Sequence, residues 1–365
     1  MPLTFRPSAE HAAESVTEPV ADPAAVPSAE PARSQGPDAG RGGGRPTRRG
    51  LLSAGAAGAA LFGLAACGSG GGSGSSGAKG ASGTRTVDTA KGPVKVPASP
   101  KRVVAINDFP MSAMFDLGLT PAGVFDAGEQ YVPPRDLTRW KAVPKVSDGV
   151  GGAIQVEKVA ALKPDLIIGI DAQTTISYDE FSALAPTVLL PFSKSKAPWR
   201  DMSDQTAAVL GVPGALDQLK KRYTDRAAAI RKAHAAVLAR TRWDLLQGGF
   251  DAGNWWLYGH GSPIGGILAD AGALFATGSS RLDVQQSVSY ELVTSRLADA
   301  DAVFYYTTND GKPANLGPKL FAQKSFQQLA ATKAGRLYGS SYFLPAGYED
   351  AIAALGDFEK ALGSL

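Results

Sequence analysis

From about residue 100 onward, the apolar positions of this chain fall into two kinds of pattern. Short unbroken runs, Arg102-Val-Val-Ala-Ile106, Leu166-Ile-Ile-Gly-Ile170 and Thr187-Val-Leu-Leu190, predict strands buried on both faces. Between them, Met111 to Leu117, ended by Gly118, and Gln155 to Leu162, ended by Pro164, predict helices. Val143 to Val146 predicts a further strand. The alternation resumes later with a strand at Trp243–Gln247, helices at Pro263–Ala271 and Tyr290–Leu297, and a strand at Ala302–Thr307. Strands alternating with helices in this way specify an α/β architecture built on parallel sheets.

A third pattern separates the two blocks. Leu216, Leu219, Tyr223, Ile230 and Val237 recur at helical spacing, with Pro213 near the start and basic residues at the far end. Within this segment no Pro or Gly follows Gly214, so one continuous helix is expected from Pro213 to about Arg240, a rod of roughly 42 Å. A rod that long reads as a stiff connector between two lobes, with a largely pre-formed cleft. The two blocks also echo each other. Glu157 opens a helix eight residues before Asp165, which leads into Leu-Ile-Ile, and Glu291 opens one eight residues before Asp299, which leads two residues later into Ala-Val-Phe-Tyr.

Upstream, the pattern disappears. Residues 1–45 are rich in Ala, Pro, Glu and Gly and predict disorder. Arg48-Arg49-Gly-Leu-Leu then opens a short apolar stretch ending in Leu64-Ala-Ala-Cys67, which reads as an export signal of twin-arginine type closed by a lipobox. Cys67 would carry the lipid. Gly68 to Gly83 is nearly all Gly and Ser, a flexible tether with an r.m.s. reach of about 20–24 Å. The expected organisation is a leader and signal at 1–66, lipidated Cys and tether at 67–83, an N-terminal lobe at 84–212, the connector at 213–241 and a C-terminal lobe at 242–365. The location expected is the extracytoplasmic face of a cell membrane.

Composition narrows the chemistry. The 365 residues are 44% hydrophobic and 19% charged, enough apolar mass for a real core. With 37 basic and 34 acidic residues, the net charge of +3 is too weak to imply nucleic-acid binding. One Cys and three His leave no intramolecular disulfide and little room for a His- or Cys-ligated metal. Gly259-His-Gly-Ser-Pro-Ile-Gly265 is not a nucleophile elbow, so Ser262 and His260 read as a polar loop before a helix. No Walker loop and no dinucleotide fingerprint follow a strand. A binding protein is therefore the leading class.

The aromatics are the positive signal. Trp199, Trp255, Trp256, Tyr258, Tyr305, Tyr306, Tyr342 and Phe343 fall in predicted loops or at predicted strand ends, and Phe109 follows the first strand. Ligands of open α/β sheets bind beyond the carboxyl ends of the strands, so these residues suggest an aromatic cleft between the lobes. The candidate ligand contacts are Phe109, Trp199, Trp255, Trp256, Tyr305 and Tyr342, with Arg281 and Lys312 as possible inward cations.

Pro100-Lys-Arg-Val-Val-Ala105, Asp116-Leu-Gly-Leu-Thr-Pro-Ala-Gly-Val124, Val156-Glu-Lys-Val-Ala-Ala-Leu-Lys-Pro-Asp-Leu-Ile-Ile-Gly169, Ala185-Pro-Thr-Val188, Ser289-Tyr-Glu-Leu292 and Ala334-Gly-Arg-Leu-Tyr338 fall in a telling order. In order and spacing they resemble the substrate-binding lipoproteins of iron-siderophore and cobalamin-type ABC importers. The resemblance implies two α/β lobes joined by one long helix, with the ligand between them. It implies that Glu157 and Glu291, one per lobe, dock on arginines of a permease dimer that works with its ATPase. It further implies a monomer held to the membrane by its lipid anchor, with no cofactor and no protein ligand to iron, because the metal arrives already chelated. Ferric catecholates would need clustered cations, whereas ferric hydroxamates suit aromatic walls, so a ferric hydroxamate siderophore is the expected ligand. Cobalamin and haem are the alternatives on this fold. A secreted α/β enzyme is the alternative of another class, which a nucleophile–base pair in the cleft would favour.

Overall fold

The computed structural model describes residues 83–173, 177–195 and 197–365. The leader at 1–45 expected to be disordered, the signal, the lipobox with Cys67 and the Gly/Ser tether up to residue 82 lie outside the described residues. The described chain opens with a hairpin of β1 (Thr84–Thr89) and β2 (Gly92–Pro97). The first lobe is a four-stranded, all-parallel sheet of β3 (Val103–Ala105), β4 (Gly123–Val124), β5 (Leu166–Ile170) and β6 (Thr187–Leu190), in the order β4-β3-β5-β6. Every residue of these strands is buried, as unbroken apolar runs require. Around them lie α1 (Asp108–Asp116), α2 (Pro134–Lys141), α3 (Val156–Ala161), α4 (Tyr178–Leu184) and α5 (Pro198–Val209). The strand expected at Val143–Val146 is reduced to single bridges, Val124 to Lys145 and Ser147 to Ile154.

The connector differs from its expected form. Val212–Leu216 is a turn, the helix proper is α6 (Asp217–Ala233), and His234, at φ −111° and ψ 20°, interrupts it before the short α7 (Ala235–Leu238). No Pro or Gly is needed for this break, because one residue outside helical geometry suffices. Nor is the connector the lobes' sole link. In α5, Met202 and Val209 enter the first lobe's core, whereas Trp199 and Ala207 enter the core of the second.

The second lobe is a six-stranded mixed sheet rather than a parallel one. Its members are β7 (Arg242–Gly248), β8 (Asn254–Tyr258), β9 (Leu274–Phe275), β10 (Gln285–Ser289), β11 (Ala302–Tyr306) and β12 (Leu337–Ser340). The path runs β10-β8-β7-β11-β12, with β9 also on β7; β8 is antiparallel to both its neighbours. α8 (Pro263–Asp270) and the C-terminal helix Tyr348–Gly363 pack on one face. The helix expected at Tyr290–Leu297 is a 3-10 turn, Tyr290–Leu292, followed by a short helix, Val293–Arg296.

The internal echo is real, but its acid is Asp301 and not Asp299. Asp165 stands one residue before β5, accepts the backbone N–H groups of Lys101 and Arg102 at 2.7 and 2.9 Å, and donates its own N–H to Arg102 O. Asp301 stands one residue before β11, accepts Arg242 N–H at 2.9 Å and donates to Arg242 O. Each acid thus fixes the start of the neighbouring parallel strand. Asp299 instead receives Thr277 N–H and its hydroxyl.

Candidate ligand-binding cleft

The carboxyl ends of the first lobe's strands converge on a cavity of about 620 Å³ between the lobes. After β3 come Asn107, Asp108 and Phe109; after β4, Phe125; at and after β5, Ile170 and Ala172; after β6, Phe192 and Ser195. The opposite wall comes from Tyr258 at the end of β8, the turn through Gly261 and Pro263, the approach to β10 at Asp283–Gln285, and Leu344–Ala346. This volume and mostly apolar lining suit a compact small molecule. Phe109 and Phe192 pack ring to ring at 5.1 Å, making one aromatic wall.

Local chemistry holds the walls in place. Asn107 caps α1, its side-chain oxygen accepting Phe109 N–H at 3.1 Å, and Gln173 donates to Ile106 O at 2.9 Å. Ser262 caps α8 by accepting Gly265 N–H at 3.1 Å, and its hydroxyl donates to Gly259 O. These bonds make Ser262 the N-cap of α8. A Cβ at Gly261 would run into Asp283, so glycine there lets the turn and the approach to β10 press together.

Of the aromatics expected at the cleft, the structure brings Phe109 and Tyr258 to this cavity, and of the candidate ligand contacts Phe109 alone among the described residues. Trp255 is fully buried in β8, its indole N–H donating to Ser289 O at 3.2 Å. Trp256 points to the opposite sheet face and packs, half-buried, on that face's core. The reason is topological: Asn254–Tyr258 is a strand, not a loop, and a mixed sheet covered on both faces buries alternate side chains in two separate cores. Tyr305 belongs to the same pattern and meets Phe321 at 4.9 Å. Trp199, in the first turn of α5, is wedged edge-on between Tyr223 at 5.3 Å and Tyr348 at 5.0 Å. Tyr342 packs on the second lobe's core, and Arg281 is exposed just after the short helix Thr277–Ser280, two positions short of the lining. Lys312 pairs with Asp310 at 2.7 Å in an exposed loop. The sequence reading missed Phe125, Phe192, Asp108 and Asp283; Phe125 and Phe192 each follow a strand end closely, which is the signal that would have found them.

Behind the cavity the lobes are bonded to each other. Asp116 of α1 accepts Tyr348 N–H at 2.7 Å and Glu349 N–H at 3.3 Å, at the start of the C-terminal helix. Arg135 of α2 reaches Asp116 at 3.0 Å, Asp136 at 3.3 Å and Asp350 at 3.9 Å. Burial, reinforced by Asp350 and opposed by Arg135, pushes the Asp116 carboxyl up to about 7. Burial and Asp350 likewise push Asp136 up to about 6. At another point, Tyr131 Oη donates to Asn315 at 3.0 Å, and Asn309 donates to Glu129 O at 2.7 Å. A second cavity, of about 410 Å³, lies beside α6 and is lined by Arg200, Tyr223 and Asp270. Those three groups bond to one another, so their chemistry is internal to the fold.

Glu157, in the first turn of α3, and Glu291, in the 3-10 turn, are both exposed, and neither forms an ion pair among the described residues. Among those residues, no group of three or more His, Cys, Asp or Glu is placed to hold a metal ion, and no helix is long and apolar enough to cross a membrane.

A cleft between two α/β lobes, walled by loops at the strand ends, defines a substrate-binding protein of the two-lobed kind. The chain belongs to the periplasmic binding protein family, whose model matches residues 103–341. It is 28% identical over 263 residues to the iron(3+)-hydroxamate-binding protein YxeB of Bacillus subtilis (strain 168), covering 70% of this chain and 77% of that one. It is 24% identical over 255 residues to the Fe(3+)-citrate-binding protein YfmC of the same organism, covering 70% and 78%. Among solved structures it is similar to the siderophore periplasmic binding protein from the fuscachelin gene cluster of Thermobifida fusca, with a TM-score of 0.64, 26% identity, and coverage of 74% of this chain and 99% of that one.

Proposed function

We propose that this protein captures a ferric siderophore, a hydroxamate in particular, at the extracytoplasmic face of the membrane and delivers it to an ABC permease dimer. The observation that carries the ligand class is the aromatic wall of the cavity: about 620 Å³, lined by Phe109, Phe125, Phe192 and Tyr258. A tricatecholate or citrate complex brings several negative charges and needs cations to meet them, whereas three hydroxamates neutralise Fe(III). The similarity to an iron(3+)-hydroxamate-binding protein supports the same reading. The iron enters as part of the ligand, so the protein supplies walls and hydrogen bonds rather than metal ligands.

In this reading Cys67 carries the lipid anchor, Glu157 and Glu291 meet permease arginines, and the protein works as a monomer. The test is a titration that follows quenching of the intrinsic tryptophan fluorescence. Its panel is ferric trihydroxamates, a ferric tricatecholate, ferric citrate, haem and cobalamin. Saturable quenching by the trihydroxamates at the lowest concentrations is expected. Tighter binding of any other member overturns the ligand class.

A further inference from the structure

Asn107 stands where β3 gives way to α1 and lines the cavity beside Phe109. It is only 6% exposed, and its amide can be turned one way only. The Phe109 N–H, 3.1 Å away, is a donor, so the atom that faces it has to be the carbonyl oxygen Oδ1. The amide nitrogen Nδ2 is thereby turned away from the helix. No described residue accepts from it, yet it is not sealed from solvent, and the space beside it is the cavity. Other polar groups of the lining are occupied. Ser195 donates its hydroxyl to Asp201 at 2.6 Å, and Ala346 N–H goes to Asp350 at 3.1 Å. Asp108, Tyr258 and Gln285 each have interactions of their own. The cap accounts for the oxygen of Asn107 and not for its nitrogen, because Asp or Ser would cap a helix as well. A donor fixed in direction beside aromatic walls destabilises any complex that covers it without accepting from it.

Building on the hydroxamate reading, we propose that Asn107 is a ligand-contacting, specificity-determining residue whose Nδ2 donates a hydrogen bond to an iron-bound oxygen of a ferric trihydroxamate. The chelate face of such a complex, with every hydroxamate nitrogen alkylated, presents oxygens and no N–H. It accepts from an amide nitrogen and has nothing to offer a carbonyl or carboxylate oxygen in the same place. The iron core rests on the rings of Phe109 and Phe192, and the donor beside them fixes how the complex is turned on that wall. A ligand of similar size with no acceptor at that point leaves the donor buried and unpaired, so one atom supplies both the attraction and the exclusion.

Substitutions separate the cap from the donor. Asn107→Asp keeps a capping oxygen and replaces the donor by a second oxygen, whereas Asn107→Ala removes cap and donor together. A residue that only caps would bind as wild type in the first variant and more weakly in the second. A ligand donor reverses that order. The probes are a linear and a cyclic ferric trihydroxamate, titrated by fluorescence into the mature protein at neutral pH. Affinity should fall about tenfold in Asn107→Ala and on the order of a hundredfold in Asn107→Asp, where a carboxylate faces the chelate oxygens. Asn107→Ser, which caps but is too short to reach as the amide does, should lose about tenfold as well. Thermal melting reports the cap, and should stay near wild type for Asn107→Asp and Asn107→Ser and fall for Asn107→Ala. Wild-type affinity in Asn107→Asp, or in Asn107→Ser should the first variant not fold, overturns this inference and leaves the hydroxamate reading standing. If the wild type binds neither trihydroxamate and binds a tricatecholate, haem or cobalamin, the hydroxamate reading falls and this inference with it.

Discussion

The two lobes spend their aromatic residues differently. In the first, the sheet is narrow and wholly parallel, its strands are aliphatic, and the large rings of Phe109, Phe125 and Phe192 sit just beyond the strand ends, where they face the cavity. In the second, a wider mixed sheet carries its rings within the strands and closes them into its own interior: Trp243 meets Phe358 at 5.1 Å and Tyr258 meets Phe343 at 5.1 Å. Among the described aromatics of the second lobe, only Tyr258, at the very end of β8, serves both interior and cavity. Aromatic abundance therefore marks the lobe with the heavier core, and aromatic position relative to strand ends marks the ligand wall.

Substitutions that exchange these roles test the contrast. The largest effect is expected at Trp255→Ala, which empties a fully buried site and should lower unfolding free energy by about 3–5 kcal/mol in chemical denaturation. Its ligand affinity, measured where the variant is still folded, should stay close to wild type. Phe192→Ala should behave in the opposite sense, with affinity for a ferric trihydroxamate falling roughly tenfold through the loss of one wall and its contact with Phe109. If Trp255→Ala loses binding selectively and Phe192→Ala does not, the assignment of wall and core is reversed.

The bonded region between the lobes gives a smaller, pH-dependent effect. Asp116 and Asp136 are pushed up to about 7 and about 6, above the roughly 3.9 of an unfolded aspartate. Between those limits the folded state holds protons that the unfolded state has released, so stability from these groups is greatest at low pH and is lost as pH rises through 6 to 7. The groups facing Asp116 are Arg135 and Asp136 of α2, and Glu349 and Asp350 of the C-terminal helix. The melting temperature should decline from pH 5.5 to pH 8, and Asp116→Asn should reduce that slope. A slope that the substitution leaves intact would place the titration elsewhere.

The smallest change in stability or affinity is expected at Glu157→Ala and Glu291→Ala. Each removes an exposed acid from a first turn, costing about 0.3–1 kcal/mol at most. Ligand affinity should hold while uptake into cells falls. Parallel binding and uptake assays check this, and a large loss of affinity in either variant would move that residue from the docking face to the cleft.

The same contrast explains what was legible in the sequence. Leu166–Ile170 and Thr187–Leu190 are strands at their expected bounds, because an unbroken apolar run has few other ways to be buried. Antiparallel β8 was harder to see, since Asn254-Trp-Trp-Leu-Tyr258 carries no local mark of its partners, and its pairing with β10 is set by residues some thirty positions away. Trp255 and Trp256 therefore looked like loop residues. The equal Glu-to-Asp spacing points to Asp299, whereas the helix-to-strand turn is two residues longer in the second lobe and the pairing of Asp301 with Arg242 fixes the register. His234 gave no warning of a helix break, because histidine is an ordinary helix residue and the break lies in backbone geometry. Asp108 and Asp283 were hidden as unremarkable acids until the fold set them on opposite walls.

The bonds from Asp116 to the start of the C-terminal helix carry a kinetic consequence. They tie α1 to the opposite lobe, and we propose that they hold the walls at one spacing before and after binding, so that little reorganisation slows the encounter. Related ferric complexes should then associate at similar rates and differ chiefly in how long they remain. For a protein that must later surrender its cargo, discrimination by residence time sets a bound: the ligand held longest is also the one whose release demands the most from the transporter.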